Sequence, residues 1–105
     1  MNASQQNTIL DYLTSLHTRG IKLGRDRLHD IFTGRPVCFA GWVGADLLGY
    51  VYPCTHPLAA DILSQAFGIN KAEARCIVDA NDLGARRPES NIRGCVTGLS
   101  DLEEQ

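Results

Sequence analysis

Apolar residues recur at helical spacing through most of this chain, and nowhere more regularly than between residues 58 and 84. Leu58, Ile62, Leu63, Ala66 and Phe67 form one stripe, and Cys76, Ile77, Ala80 and Leu83 form a second. Two amphipathic helices are therefore predicted there, as a helix-turn-helix-like hairpin. Gly68 falls between them, where a helix C-cap needs a residue free to take positive φ. Asn70, with Glu73 three residues on, opens the second helix as a capping-box variant, and Gly84 ends it.

Upstream, Ile9, Leu10, Leu13 and Leu16 predict a first helix over about 4–19, bordered by Tyr12 and His17 and stopped by Gly20. After the short connection 21–24, a second helix fits 25–33, burying Leu28, Ile31 and Phe32. Its opposite face carries Arg25, Asp26, Arg27, His29 and Asp30, and Gly34 and Pro36 stop it. Residues 37–52 are apolar on nearly every side, so neither a helical nor a strand period can be read from them. Pro36 at a helix start and Gly49 at a C-cap suit a buried helix. Two short strands would suit the Val, Phe, Trp and Tyr content. Helix is the expectation, with Trp42 as a core anchor and any close neighbour helix offsetting the low propensity of Gly41 and Gly44. Residues 50–57 read as a proline-containing loop, with Thr55 as a cap for the helix that follows.

After Gly84 the texture changes. Arg86, Arg87, Pro88 and Arg93 precede a tail with Asp101, Glu103 and Glu104, and only Ile92, Val96 and Leu99 are good anchors. The segment 85–105 is expected to be an irregular basic loop and acidic tail, packed on a helical core of 1–84 within one domain. The fold class expected is all-α, a compact bundle of four to five short helices around Leu10, Leu13, Leu28, Phe32, Trp42, Leu63, Phe67 and Ile77.

Composition sharpens this picture. At 105 residues, a domain buries roughly two-thirds of the surface its unfolded chain exposes, enough for an ordinary core. With 44% hydrophobic and 21% charged residues the chain is globular rather than disordered. A net charge of −2 argues against a general nucleic-acid or membrane-surface binder. The balance is uneven, because residues 1–36 hold five bases and three acids whereas 57–84 hold two bases and four acids. No basic segment followed by an apolar run opens the chain, and Asp46 interrupts an apolar stretch already too short for a bilayer. A soluble cytoplasmic protein is expected, with Cys38, Cys54, Cys76 and Cys95 as reduced thiols. Cys38 and Cys76 read as small buried hydrophobes.

Several constellations carry candidate chemistry. In a DNA-binding helix-turn-helix, Asn70 and Lys71 would start the recognition helix and Arg75 would follow one turn later, reaching base edges and phosphates. Against that stand the net acidity of 58–84, Ser64 where the motif packs a smaller side chain, and Glu73 and Asp79 near the groove. Cys54 and His56 suggest a zinc-binding or cysteine-dependent centre, yet the four cysteines are spaced 16, 22 and 19 apart rather than in close pairs. The run Asp79 to Gly84 resembles the start of a calcium loop but has Leu83 at a ligand position. The arginines at 86, 87 and 93 suit an acidic partner, since guanidinium groups bind carboxylates bidentately. Tyr50 and Tyr52 would strengthen such a surface. The function expected is a small intracellular, non-enzymatic regulator or inhibitor. It acts by protein–protein interaction through Arg86, Arg87, Arg93, Tyr50 and Tyr52, without a cofactor.

Overall fold

The computed structural model describes residues 1–50, 58–84 and 86–104, with residues 100–104 as backbone only. The chain is an all-α bundle of five helices: α1 (Ala3–Thr18), α2 (Phe39–Leu48), α3 (Ala59–Phe67), α4 (Lys71–Asp82) and α5 (Pro88–Glu104). Helix α2 packs on α3, α3 on α4, α4 on α5, and α5 returns to α1. None of the described helices is long and apolar enough to cross a membrane.

Local chemistry sets the helix ends. Asn2 caps α1 by accepting from the Gln5 amide at 2.8 Å, while the Gln5 side chain accepts from the Asn2 amide at 2.9 Å. Asn70 and Glu73 repeat that reciprocal box at α4. Gly68 ends α3 in the left-handed region at φ 68°, as a C-cap there demands. The Ser64 hydroxyl donates to the Ile69 carbonyl and the Gln5 side chain to that of Gly68, so the hairpin turn is tied to both α3 and α1.

Ile9, Leu13 and Leu16 of α1 meet Phe39 and Val43 of α2, Ile62 and Leu63 of α3, Ile77 of α4, and Ile92 and Val96 of α5 in one core. Tyr12, Phe39 and Phe67 join three helices through ring centroids 5.9, 6.3 and 6.4 Å apart.

Five expectations are corrected. No helix forms over 25–33; the chain turns back on itself, with His29 bridging Pro36 antiparallel. Asp30 is the reason, because its carboxylate bonds forward to two amides that a helix would have committed elsewhere. Phe32, expected in the core, is 90% exposed. Residues 88–104 are not an irregular loop and tail but a helix: Pro88 starts α5 in the first turn, where an N–H has no intrahelical partner to lose, and Ile92 and Val96 bury its inner stripe. The stripe of α4 is rotated to Ala74, Ile77 and Asn81, leaving Cys76 and Leu83 exposed. Leu58 is exposed too, standing at the N-cap of α3 rather than inside its stripe. Thr55 lies outside the described residues.

The helix expected over 37–52 is present, shortened to Phe39–Leu48 and ended by left-handed Gly49. Its glycines do allow close approach. A Cβ on Gly44 would press on Tyr50 and Ile62, and one on Gly41 would meet the Leu28 carbonyl oxygen at 2.2 Å. At Gly41 the neighbour is thus the backbone of the 24–37 loop rather than a helix.

Candidate functional site

That loop carries the most exposed apolar side chains near a defined turn. Asp30 Oδ1 accepts from the Phe32 amide at 2.7 Å and from the Thr33 amide at 3.2 Å. Around it, the Asp30 amide donates to the Arg35 carbonyl at 2.9 Å, and the Gly34 amide donates to the Asp30 carbonyl at 2.8 Å. Gly34 takes φ 72°, a value open to few other residues. These bonds hold Ile31 and Phe32 outward at 63% and 90% exposure. Arg27 and Arg35 flank them, both exposed and without a carboxylate partner among the described residues.

The base of the loop is fixed from several sides. Gly24 N–H donates to the Val37 carbonyl at 2.8 Å, and Val37 N–H donates to that of Leu28 at 2.9 Å. Asp82 accepts from the Asp26 amide at 3.0 Å, and Asp26 is the one non-glycine described at positive φ. The Arg25 guanidinium donates to the Leu83 and Arg86 carbonyls. Asn81, only 2% exposed, is the central tie: its Oδ1 accepts from the Phe39 amide at 3.1 Å and its Nδ2 donates to the Gly24 carbonyl at 2.9 Å. It satisfies a first-turn N–H of α2, whose own cap, Cys38, makes no side-chain bond. Burial pushes the Cys38 thiol up despite the Ala40 and Gly41 amides beside it.

The residues singled out from sequence are dispersed. Arg93 lies on α5 and is engaged, donating to Glu89 Oε1 at 3.2 Å and to Thr14 at 3.4 Å. Arg86 and Arg87 are exposed in the α4–α5 connection. Tyr50 packs at the opposite end of α2 and donates to Gln65 at 3.1 Å. Tyr52, Cys54 and His56 lie outside the described residues. On the α3–α4 hairpin, Asn70 is committed to the cap, Lys71 pairs with Asp61 at 3.2 Å, and Arg75 is exposed. The calcium-like run is structural, because Asn81 and Asp82 fasten the 24–37 loop. Among the described residues no group of three His, Cys, Asp or Glu side chains is placed to hold a metal ion.

Elsewhere Asp46 joins α2 to α1. Its Oδ2 accepts from the Tyr12 hydroxyl at 2.8 Å and from Arg19 Nη1 at 2.6 Å, with the guanidinium 5.4 Å from the Trp42 ring centroid. Burial, then the bond to Asp46, pushes the Tyr12 phenol well up.

No protein-family model matches the chain, and neither a curated protein nor a solved structure does.

The outward pair at 31–32 escaped sequence reasoning because Leu28, Ile31 and Phe32 share helical spacing. The signal that could have found it was turn chemistry: Asp30 before the pair, then Thr33, Gly34 and Pro36 after it.

Proposed function

We propose that the chain is a small non-enzymatic interaction domain, a regulator or inhibitor that docks on another protein through the tip of its 29–36 loop. One observation carries this reading: Phe32 is held in solvent by an ordered, hydrogen-bonded turn rather than left there by fraying. Burying a phenylalanine contributes roughly 1.5–3 kcal/mol, and the fold forgoes that here. An aromatic anchor beside an aliphatic one, flanked by two arginines, fits an apolar pocket with an acidic rim. The exposed Arg86 and Arg87 would extend the same preference for acidic surfaces.

Duplex DNA held by α4 has less support, since Asn70 and Lys71 are engaged within the hairpin and Arg75 alone stands free beside Glu73 and Asp79.

The reading is tested by placing a photo-crosslinking amino acid at position 32 in cells of the source organism, with position 15 as an exposed control. A protein captured from 32 and not from 15 should bind the purified domain. Phe32→Ala should weaken that binding at least about tenfold, the behaviour of an interface anchor. Equal capture at both positions, or affinity untouched by Phe32→Ala and Ile31→Ser together, would refute the reading.

A further inference from the structure

A cavity of about 460 Å³ opens on the side of the bundle where α1 ends and α5 begins. Its volume lies within the range of small-molecule sites, roughly 300–1,000 Å³. Leu13, Leu16, Ile21 and Leu23 supply an apolar floor, and the first two belong to the core itself. Lys22 and Arg87 stand in its lining from opposite segments of the chain.

The charges around it are not balanced. Arg19, Lys71 and Arg93 each pair with a carboxylate, whereas Lys22 and Arg87 have none among the described residues. The one carboxylate in the lining, Glu89, already accepts from Arg93 Nη2 at 3.2 Å and lies 3.2 Å from His17 Nδ1. Three carbonyls near the end of α1 are also taken, since those of Ser15, Leu16 and His17 accept from the amides of Arg19, Ile21 and Gly20. What the cavity leaves open is a greasy floor beneath two unneutralised cations.

We infer that this cavity binds a small amphiphilic carboxylate, its apolar tail over Leu13, Leu16, Ile21 and Leu23 and its carboxylate between Lys22 and Arg87. A tail of this kind gains by leaving water. The head gains charge-assisted hydrogen bonds from the ammonium and the guanidinium. The site is independent of the 29–36 loop.

The test compares decanoate, decanol and decylamine below their aggregation thresholds, by calorimetry and by amide chemical-shift mapping of the full chain. Decanoate should bind with shifts centred on 13–23 and 87–89, decanol about tenfold more weakly, and decylamine not measurably. The double variant Lys22→Glu/Arg87→Glu should lose about tenfold or more in decanoate affinity, on the scale of two exposed ion pairs lost and two repulsions gained. Both side chains are exposed, so an unchanged circular dichroism melt is expected. Should the variant melt early, Lys22→Gln/Arg87→Gln gives the same reading without added negative charge. Equal affinity for all three probes, shifts centred elsewhere, or full decanoate binding by both double variants would overturn the inference.

Discussion

Replacing Asn81 by alanine should be among the most damaging single changes to this fold, although no apolar contact of any size is lost. The side chain is 2% exposed and bonds two backbone groups from distant segments, the Phe39 amide and the Gly24 carbonyl. Alanine leaves both without partners. A buried backbone group so orphaned costs about 1–3 kcal/mol. The Phe39 amide is in the buried interior and should bear most of that, whereas the Gly24 carbonyl is only partly buried and recovers some of it from water. The sum is about 2–4 kcal/mol, a large share of the roughly 5–15 kcal/mol that holds such domains. In a chain of this length it corresponds to a fall of about 10–20 °C in Tm.

Urea unfolding followed by circular dichroism and by the fluorescence of the single tryptophan, Trp42, measures the loss. Asn91→Ala is the control. Asn91 also donates to backbone carbonyls, those of Leu83 and Arg86, but at an exposed site, so its removal should cost less than about 1 kcal/mol. Asn81→Asp keeps the acceptor for Phe39 and loses the donor, setting a carboxylate against the Gly24 carbonyl and beside Asp82. That carboxyl resists ionisation in the folded state, so its excess cost over wild type should grow as the pH rises through the ordinary carboxylate range and shrink on acidification. If Asn81→Ala lies within 0.5 kcal/mol of wild type (about the noise of a surface change), or costs no more than Asn91→Ala, then Asn81 is not the tie described.

Gly41→Ala and Gly94→Ala should move stability in opposite directions. At Gly41 the new Cβ meets the Leu28 oxygen, costing about 2 kcal/mol or more, while at Gly94, with open space around it inside α5, alanine should add about 0.5–1 kcal/mol; thermal melts of the two variants decide. Tyr12 should not ionise in the native protein, so phenolate absorbance should report it only once the chain unfolds. The stability it contributes is complete below the ordinary phenol value of about 10 and falls away as the pH rises beyond it, and Tyr12→Phe should flatten that alkaline loss. In a Cys54→Ser background, exposed Cys76 should react first with a disulfide reagent at pH 8. Cys95, pushed up to about 11 chiefly by burial, should follow slowly, and Cys38 only on unfolding. Cys38 reacting as fast as Cys76 would contradict the burial described.

Where the sequence carried a helix start or stop signal, the element ends were legible. Gly68 between two stripes, Asn70 with Glu73, and Gly49 after an apolar run all stand where expected. Periodicity misled where side chains competed for the backbone, because the spacing of Leu28, Ile31 and Phe32 says nothing of the bonds that Asp30 makes. It was faint in α5, where Gly94 and Gly98 lower helix propensity between Ile92, Val96 and Leu99, although these three form a stripe at i, i+4 and i+7. The cavity beside Lys22 and Arg87 was not legible at all, since residues 65 positions apart meet there only through the packing of α5 on α1.

The 24–37 loop divides into two parts held by different bonds. Its base is tied to other segments through Asn81, Asp82, the Gly41 approach and the Arg25 bonds to the Leu83 and Arg86 carbonyls. Its tip is held by bonds local to the turn, those of Asp30, Thr33 and Gly34 among them. The outward side chains therefore contribute little to the fold, and Phe32→Ala should leave stability within about 0.5 kcal/mol of wild type while removing the anchor. Asn81→Ala should do the reverse, touching no partner yet loosening the base from which the tip projects. If docking depends on the tip being held in place, the binding cost of Asn81→Ala should exceed its fraction unfolded; a cost equal to that fraction would mean that Phe32 binds equally well from a slack loop.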